Sequence, residues 1–353
     1  MSLFHQDYDI YFCPIAEIGE LKQFIHSHWK RNHALSVSHP LMDWQYYSKE
    51  TNTYNFVIAK HNKLNEIHAI LGFIPTRHFD LSISTSDLWL SVWKVRADAQ
   101  VPGLGLFLLE FLNSCKNPRS ICAVGLSKQV IPIYKLMGYT IGILKHYYII
   151  NDCMTDFKLI EHFDERYATA EDMTCSKKEL HYYDKSDFLK LMKKQMTFEF
   201  HFRMPLKSLS YFFNRYYRHP LYDYSIYGVT DHDNLRGLLV IRRVSYNEHY
   251  ALRIVDYFGD PANLIGALKA FQALLKIHNA EYIDFYNAGI EEEIMSAIGF
   301  VKMEKMSKII IPNYFEPFER RNVDLDFAYK SNDKELFYIF KGDSDQDRPN
   351  FIE

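Results

Sequence analysis

The chain has 353 residues, enough for two domains at about 150 residues each. Hydrophobic residues make up 48% and charged residues 24%, which excludes a mostly disordered, collagen-like or coiled-coil chain. A formal charge of −3 gives no basic field for nucleic acid, and no apolar run reaches the ~18 residues of a membrane helix.

In chain order, Met1–Asp7 lacks the basic and apolar regions of a signal peptide. The five cysteines are odd in number and include no Cys-x-x-Cys, so free thiols in a reducing cytoplasm are expected. His39-Pro40-Leu41-Met42-Asp43-Trp44 precedes two β-rich runs, Tyr54–Ala59 and Ile67–Pro75, which read as a hairpin. A third strand is expected at Leu88–Val95, an apolar-periodic helix at Leu104–Ser114, a fourth strand at Ile121–Leu126 and a second helix after it.

The series then repeats. His219-Pro220-Leu221-Tyr222-Asp223-Tyr224 leads to strands at 224–230, 235–244 and 250–257, a helix at 263–277 and a strand at 282–286. From the third strand onward a constant offset of 161 places Gly105 on Gly266, Gly138 on Gly299 and Tyr134 on Met295. Two copies of one mixed α/β domain follow from this. The division expected is residues 1–150, a charged solvated connector at 151–183, a second domain at 184–320, and a strand with a polar tail at 321–353. That tail is too polar to form core by itself.

The chemistry lies where the copies differ. Gln100-Val101-Pro102-Gly103-Leu104-Gly105 joins a strand to a helix. Its glycines let backbone N–H groups approach one point at a helix N-terminus, a ready place for a pyrophosphate. At the constant offset the second copy has Pro261 and Leu264 where Gln100 and Gly103 stand, and is not expected to bind phosphate there. Tyr134 is a phenol, protonated near neutral pH and able to donate to a leaving group. An ordinary strand-to-helix turn and a core tyrosine are the plain alternatives.

Gln100-x-x-Gly103-x-Gly105 after a strand, followed by Tyr134-x-x-x-Gly138-Tyr139, resembles the GNAT superfamily of acyl-CoA N-acyltransferases. Over nearly the whole chain the likeness is to tandem GNAT proteins, two α/β domains forming a pseudo-dimer. His39-Pro40-Leu41 with Trp44, Asn313–Phe318 and Lys341–Pro349 look like bacterial tandem enzymes that acylate nucleotide-linked amino sugars for surface glycans such as O-antigen lipopolysaccharide. Among these, the likeness is to dTDP-3-amino-3,6-dideoxyhexose N-acyltransferases that use 3-hydroxybutyryl-CoA.

The resemblance implies a cytoplasmic enzyme with acyl-CoA as co-substrate and no metal. Gln100, Val101, Gly103, Leu104, Gly105 and Leu106 would hold the pyrophosphate. Trp93, Lys94 and Val95 would pair with the pantetheine, a main-chain N–H around Val95 would serve the oxyanion, and Tyr134 would protonate the thiolate. Ser127 stands where family members often carry Asn. His39, Lys341, Asp345, Gln346 and Arg348 would bind the nucleotide sugar. The general base stays unassigned among Asp87, His39, Asp43 and His78. An amino-acyl or peptide amine acceptor, or a noncatalytic acyl-CoA-binding protein, are the other readings. His26-x-His28 faces apart on a helix, and Asp343, Asp345 and Asp347 lack a calcium loop, so no metal is expected.

Overall fold

Alternating apolar residues give each strand two faces to bury. Phe56 and Ile58 point to one side of their sheet, Val57 and Ala59 to the other. The computed structural model describes residues 7–99, 101–164, 178–194, 204–232, 234–331 and 337–349. Among these residues the strands build two mixed sheets of eight strands each.

The first half runs β1 (Tyr8–Pro14), α1 (Ile18–Phe24), α2 (Ala34–Val37), α3 (His39–Tyr46), β2 (Tyr47–Ser48), β3 (Thr53–His61), β4 (Glu66–Pro75), β5 (Asp87–Val95), α4 (Leu104–Lys116), β6 (Ser120–Val124), α5 (Ile131–Leu136) and β7 (Thr140–Ile143). Then come β8 (Lys145–Ile150), β9 (Glu179–Tyr183), α6 (Lys185–Lys193), α7 (Leu209–Phe212), β10 (Ser225–Asp231), β11 (Asn234–Tyr246), β12 (His249–Gly259), α8 (Leu268–Ile277), β13 (Ala280–Ala288), α9 (Glu292–Ile298) and β14 (Val301–Lys302). A small hairpin of β15 (Tyr314–Phe315) and β16 (Phe318–Glu319), then β17 (Asp326–Ser331) and β18 (Ile339–Phe340), complete the series.

The two sheets exchange a strand. The first is ordered β1-β3-β4-β5-β6-β17-β7, the second β14-β8-β13-β12-β11-β10-β9. β17 enters the first sheet between β6 and β7, with Ala328 opposite Ala123 and Ile141. β8 enters the second, with Tyr148 opposite Asp284 and Val301. The sheets therefore do not divide the chain at residue 150. Residues 145–150 lie in the second sheet and 326–331 in the first. From His146 to Ile150 the strand is buried continuously, as a central strand covered on both faces must be.

Four layers result. Leu104, Leu108 and Leu112 of α4 cover the outer face of the first sheet, and Phe271, Leu275 and Met295 cover the outer face of the second. The inner faces share one core with α1, α3, α6 and α7, built from residues such as Ile70, Val92, Leu41, Phe188, Phe212 and Val240.

The connector expected at 151–183 is not solvated throughout. Leu159 and Ile160 are buried, and their amides, with that of Lys158, donate to the buried Glu281 carboxylate at 2.8–3.1 Å. Glu179–Tyr183 is an edge strand paired with β10. Residues 165–177 lie outside the described residues.

The tail corrects the sequence expectation most. Lys341, Asp343, Ser344, Asp345 and Asp347 are buried between the sheets. Burial of so many charges is possible because other segments answer them. Lys207 bridges Asp256 and Asp343 at 2.7 Å each, and Arg242 meets Asp347 at 2.8 Å. The Arg215 guanidinium donates to the carbonyls of Gly342 and Ser344.

Candidate active site

The first sheet carries a fork. β5 and β6 pair in parallel from Asp87–Ser120 to Leu90–Ala123, then part, while β5 continues to Val95. A bulge lies at the parting point. Leu71 faces Trp93 and Phe73 faces Leu90, so Ser91 and Val92 share the single position opposite Gly72. A Cβ at Gly72 would sit 2.6 Å from Ser91 Oγ, so glycine permits the bulge's close approach. The Arg96 amide donates to His68 O at 2.9 Å, which sets the alternation along the strand. Lys94 thus turns its main-chain groups to β4, and Trp93 and Val95 turn theirs into the fork. An extended chain bearing amides could pair there as an added strand.

Above the fork stands the N-terminus of α4. Gly103 precedes it with φ +86°, a left-handed conformation that favours glycine. The first-turn amides of Gly105 and Leu106 have no intrahelical acceptor and add to the positive end of the helix dipole. Gly105 lies over the fork, where an added Cβ would come 3.1 Å from Trp93 Nε1 and 3.2 Å from Val95 Cγ2. Val101 is half-buried and the Leu104 side chain is buried in the core. Gln100 lies outside the described residues.

Tyr134, on α5, is 2% exposed, and its ring meets Trp93 edge-on at 5.8 Å and Tyr139 at 4.9 Å. Burial, with a smaller contribution from Tyr139, raises its pKa above the ordinary phenol value, so it stays protonated at neutral pH. Among the described residues no hydrogen-bond partner holds its hydroxyl. Ser127 is exposed, and its carbonyl accepts from the Val130 amide at 3.1 Å ahead of α5.

The second sheet has the same fork, occupied by the chain itself. β12 and β13 part after Ile254–Phe285. Into the gap come β18, pairing Phe340 with Asn287, and Gly342, whose amide donates to Val255 O at 2.7 Å. The constant repeat offset also needs correction. It holds at the helix ends, where Tyr139 N donates to Tyr134 O as Phe300 N does to Met295 O, beside Gly138 and Gly299, both at positive φ. It fails at the loop. Gly266, at φ +93°, stands 163 residues after Gly103 and is its counterpart just ahead of a helix. The reason is that α4 has thirteen residues and α8 ten. The second loop therefore keeps one glycine, but its Gly266 carbonyl is taken by the Lys178 amide, and Leu268 fills the space against Gly299.

Of the residues expected to bind acceptor, three meet. Lys341, Gln346 and Arg348 line one small cavity, and the Gln346 side chain lies directly over Gly125 at the mouth of the first fork. Asp345 is buried and paired with Arg348 at 3.1 Å. His39 is exposed on α3, 3.5 Å from Asp43, and lines neither this cavity nor the larger one beside Asp43.

The candidate bases lie elsewhere. Asp43 and His78 line a cavity of about 870 Å³ with Leu88 and Lys116, at the opposite end of β5 from Val95. His78 is held by Trp44 O at 2.8 Å, and burial lowers its pKa. Asp87 is fully buried and spent on Arg119, Ser120 and the Leu206 amide. Sequence reading missed two contacts at the fork: Ser344 Oγ to Leu90 O at 2.8 Å, and Tyr46 OH to Ser91 Oγ at 2.9 Å. No local pattern signals either. Among the described residues no metal-binding cluster exists, and no helix is long and apolar enough to cross a membrane.

No protein-family model matches the sequence, and no curated protein matches it. Solved structures do. A GCN5-related N-acetyltransferase from Anabaena variabilis superposes with a TM-score of 0.53 at 11% identity, over 92% of this chain and 72% of that one. A conserved protein of unknown function from Enterococcus faecalis gives 0.55 at 9%, over 92% and 72%. A GCN5-related N-acetyltransferase from Kribbella flavida gives 0.51 at 10%, over 92% and 71%. At such identities the likeness is one of fold. The chain thus has the fold of the GCN5-related N-acetyltransferases, in two copies that exchange a strand.

Proposed function

We propose that the protein is an acyl-CoA-dependent N-acyltransferase working at the first fork. One observation carries this reading: among the described residues no strand pairs with Trp93–Val95 on the fork side, beneath the α4 N-terminus and beside Tyr134, while the matching fork is filled by the chain's own tail. The amides of Gly105 and Leu106 suit a pyrophosphate, and the main-chain groups of Trp93 and Val95 suit the amides of a pantetheine arm.

In this reading a neutral amine attacks the thioester carbonyl. The bulge at Ser91–Val92 takes amides out of the ladder just at the apex, so the oxyanion donor belongs there rather than around Val95. A C–N bond forms, the C–S bond breaks, and Tyr134 gives its proton to the departing sulfur. The proton shed by the amine passes through water and restores the Tyr134 hydroxyl, since none of Asp43, His78 and Asp87 is placed at the fork. The acceptor is the amine of a nucleotide-linked amino-deoxy sugar, and the acyl group is acetyl or 3-hydroxybutyryl. The likeness of the His39, Asn313 and Lys341 segments to tandem sugar acyltransferases supports that choice.

Mass spectrometry of products from a panel of acyl-CoAs and amines, dTDP-amino sugars included, tests it. Thiol release that depends on an added amine is expected. Acyl-CoA binding without such release would leave a noncatalytic binder, and preference for a peptide amine would replace the sugar.

A further inference from the structure

A cavity of about 30 Å³ lies between the tail and the β15 hairpin. Its walls carry four cationic side chains, Arg242, Arg253, Lys341 and Arg348, against two carboxylates, Glu316 and Asp347. Three of these have carboxylate partners: Arg242 with Asp347, Arg253 with Asp284 and Arg348 with Asp345. Lys341 has none among the described residues. It is 5% exposed, its Nζ reaches only the Asn313 carbonyl at 3.3 Å, and the Tyr286 and Tyr314 rings lie 5.1 and 5.5 Å away.

Other polar groups there are also unmet. Asn313 is 2% exposed, and neither atom of its amide has a partner. Arg348 Nη1 is buried without an acceptor. Native proteins rarely leave such groups orphaned, and each one asks for an explanation. The volume fits two oxygen-sized atoms, since one water needs about 10–15 Å³. Two waters would satisfy hydrogen bonds and leave Lys341 with no anion in contact; an oxyanion would accept from Lys341 Nζ, Asn313 Nδ2 and Arg348 Nη1 together.

We propose that this cavity is an anchor for an oxyanionic group, carboxylate or phosphate, carried by the acceptor. The word acceptor rests on the acyl-transfer reading; the anion site does not. Gln346 connects the two, lining the cavity and covering Gly125 at the fork. A molecule anchored at Lys341 has its amine within reach of the fork past one side chain. Burial, and then the neighbouring Arg253, push the Lys341 pKa well down against the opposing pull of Asp284 and Asp347, and an anion in contact with Nζ would push it back up.

The test is calorimetric titration of the intact protein, without acyl-CoA, using inorganic phosphate and, separately, acetate at constant ionic strength. A saturable site that depends on Lys341 is expected. Phosphate alone assigns a phosphoryl group, acetate alone a carboxylate, and both a general oxyanion site. Lys341→Met and Asn313→Asp should each weaken binding at least tenfold. The first removes the cation, and the second supplies it with a fixed carboxylate and keeps it in place. Absence of binding to the wild type, or unchanged binding in both variants while circular dichroism shows them folded, overturns the proposal. Acyl-CoA titrated into the same proteins separates the two readings: a wild type that binds phosphate but no acyl-CoA defeats acyl transfer and leaves the anion site standing.

Discussion

The hydroxyl of Ser344 donates to the main-chain oxygen of Leu90 at 2.8 Å, across 254 positions of sequence. Leu90 is the last residue of β5 paired with β6 before the fork opens. Two residues earlier in the tail, Gly342 is bonded inside the other fork. One short segment therefore fills one fork and fastens to the apex of the other.

This asymmetry sets the stoichiometry. One acyl-CoA per chain is expected by isothermal titration. Gly105→Val should weaken it at least tenfold, because the new side chain would meet Trp93 and Val95 where the arm must lie. Two equivalent sites per chain, or an unaltered affinity in the variant, would contradict the assignment of the first fork.

Tyr134→Phe keeps the ring contacts with Trp93 and Tyr139 and removes only the hydroxyl. Acyl transfer should slow by ~10²–10⁴, the usual range for a positioned proton donor, with acyl-CoA affinity retained. Single-turnover rates measure the chemical step directly. Equal rates in the two proteins would make Tyr134 a packing residue.

Gly342 is where the tail can be loosened. A Cβ there would lie 2.6 Å from Val255 O and 2.8 Å from Tyr216 Oη, with rigid backbone on one side. Gly342→Val is expected to cost about 1–3 kcal/mol, the range for overpacking a closed core. Urea midpoints would show it, and limited proteolysis should then cut the tail first. A variant as stable as the wild type would mean that the tail is not locked as described.

His33 links stability to pH. It is 1% exposed and accepts a hydrogen bond from the Leu35 amide at 3.2 Å, as cap of α2. Burial, then the charges of Arg348 and Lys30, depress its pKa to about 2, against about 6.5 in the unfolded chain. The folded state thus binds fewer protons. The stability His33 contributes is complete above pH 6.5 and is lost as pH falls from there toward 2. His33→Asn keeps a side-chain acceptor and does not titrate, so it should lose less stability than the wild type over that interval. Parallel profiles from urea unfolding at pH 8, 6, 5 and 4 would refute this.

The hairpins β3–β4 and β10–β11 were legible because alternation and polar turns are local signals. The caps at Gly138 and Gly299 were legible because positive φ selects glycine. The exchange of β8 and β17 was not. An apolar strand announces burial, but the choice of sheet depends on edges formed by residues far away. The tail was misread for a related reason. Its aspartates look solvated until Lys207, Arg215 and Arg242 are brought against them. The repeat offset failed at the loop because a helix can lose most of a turn and keep its apolar face, as α8 does beside α4.

The exchanged strands also govern how the chain is made. β6 and β7 leave the ribosome with a strand's width between them, and the strand that closes it is translated about 180 residues later. Until then β6 has one edge unpaired and β7 has no partner at all, while β8 waits for partners not yet synthesised. Cutting the gene after residue 150 would give two polypeptides, each holding the other's missing strand. Neither could close its own sheet, and both sheets would form only when the two were mixed.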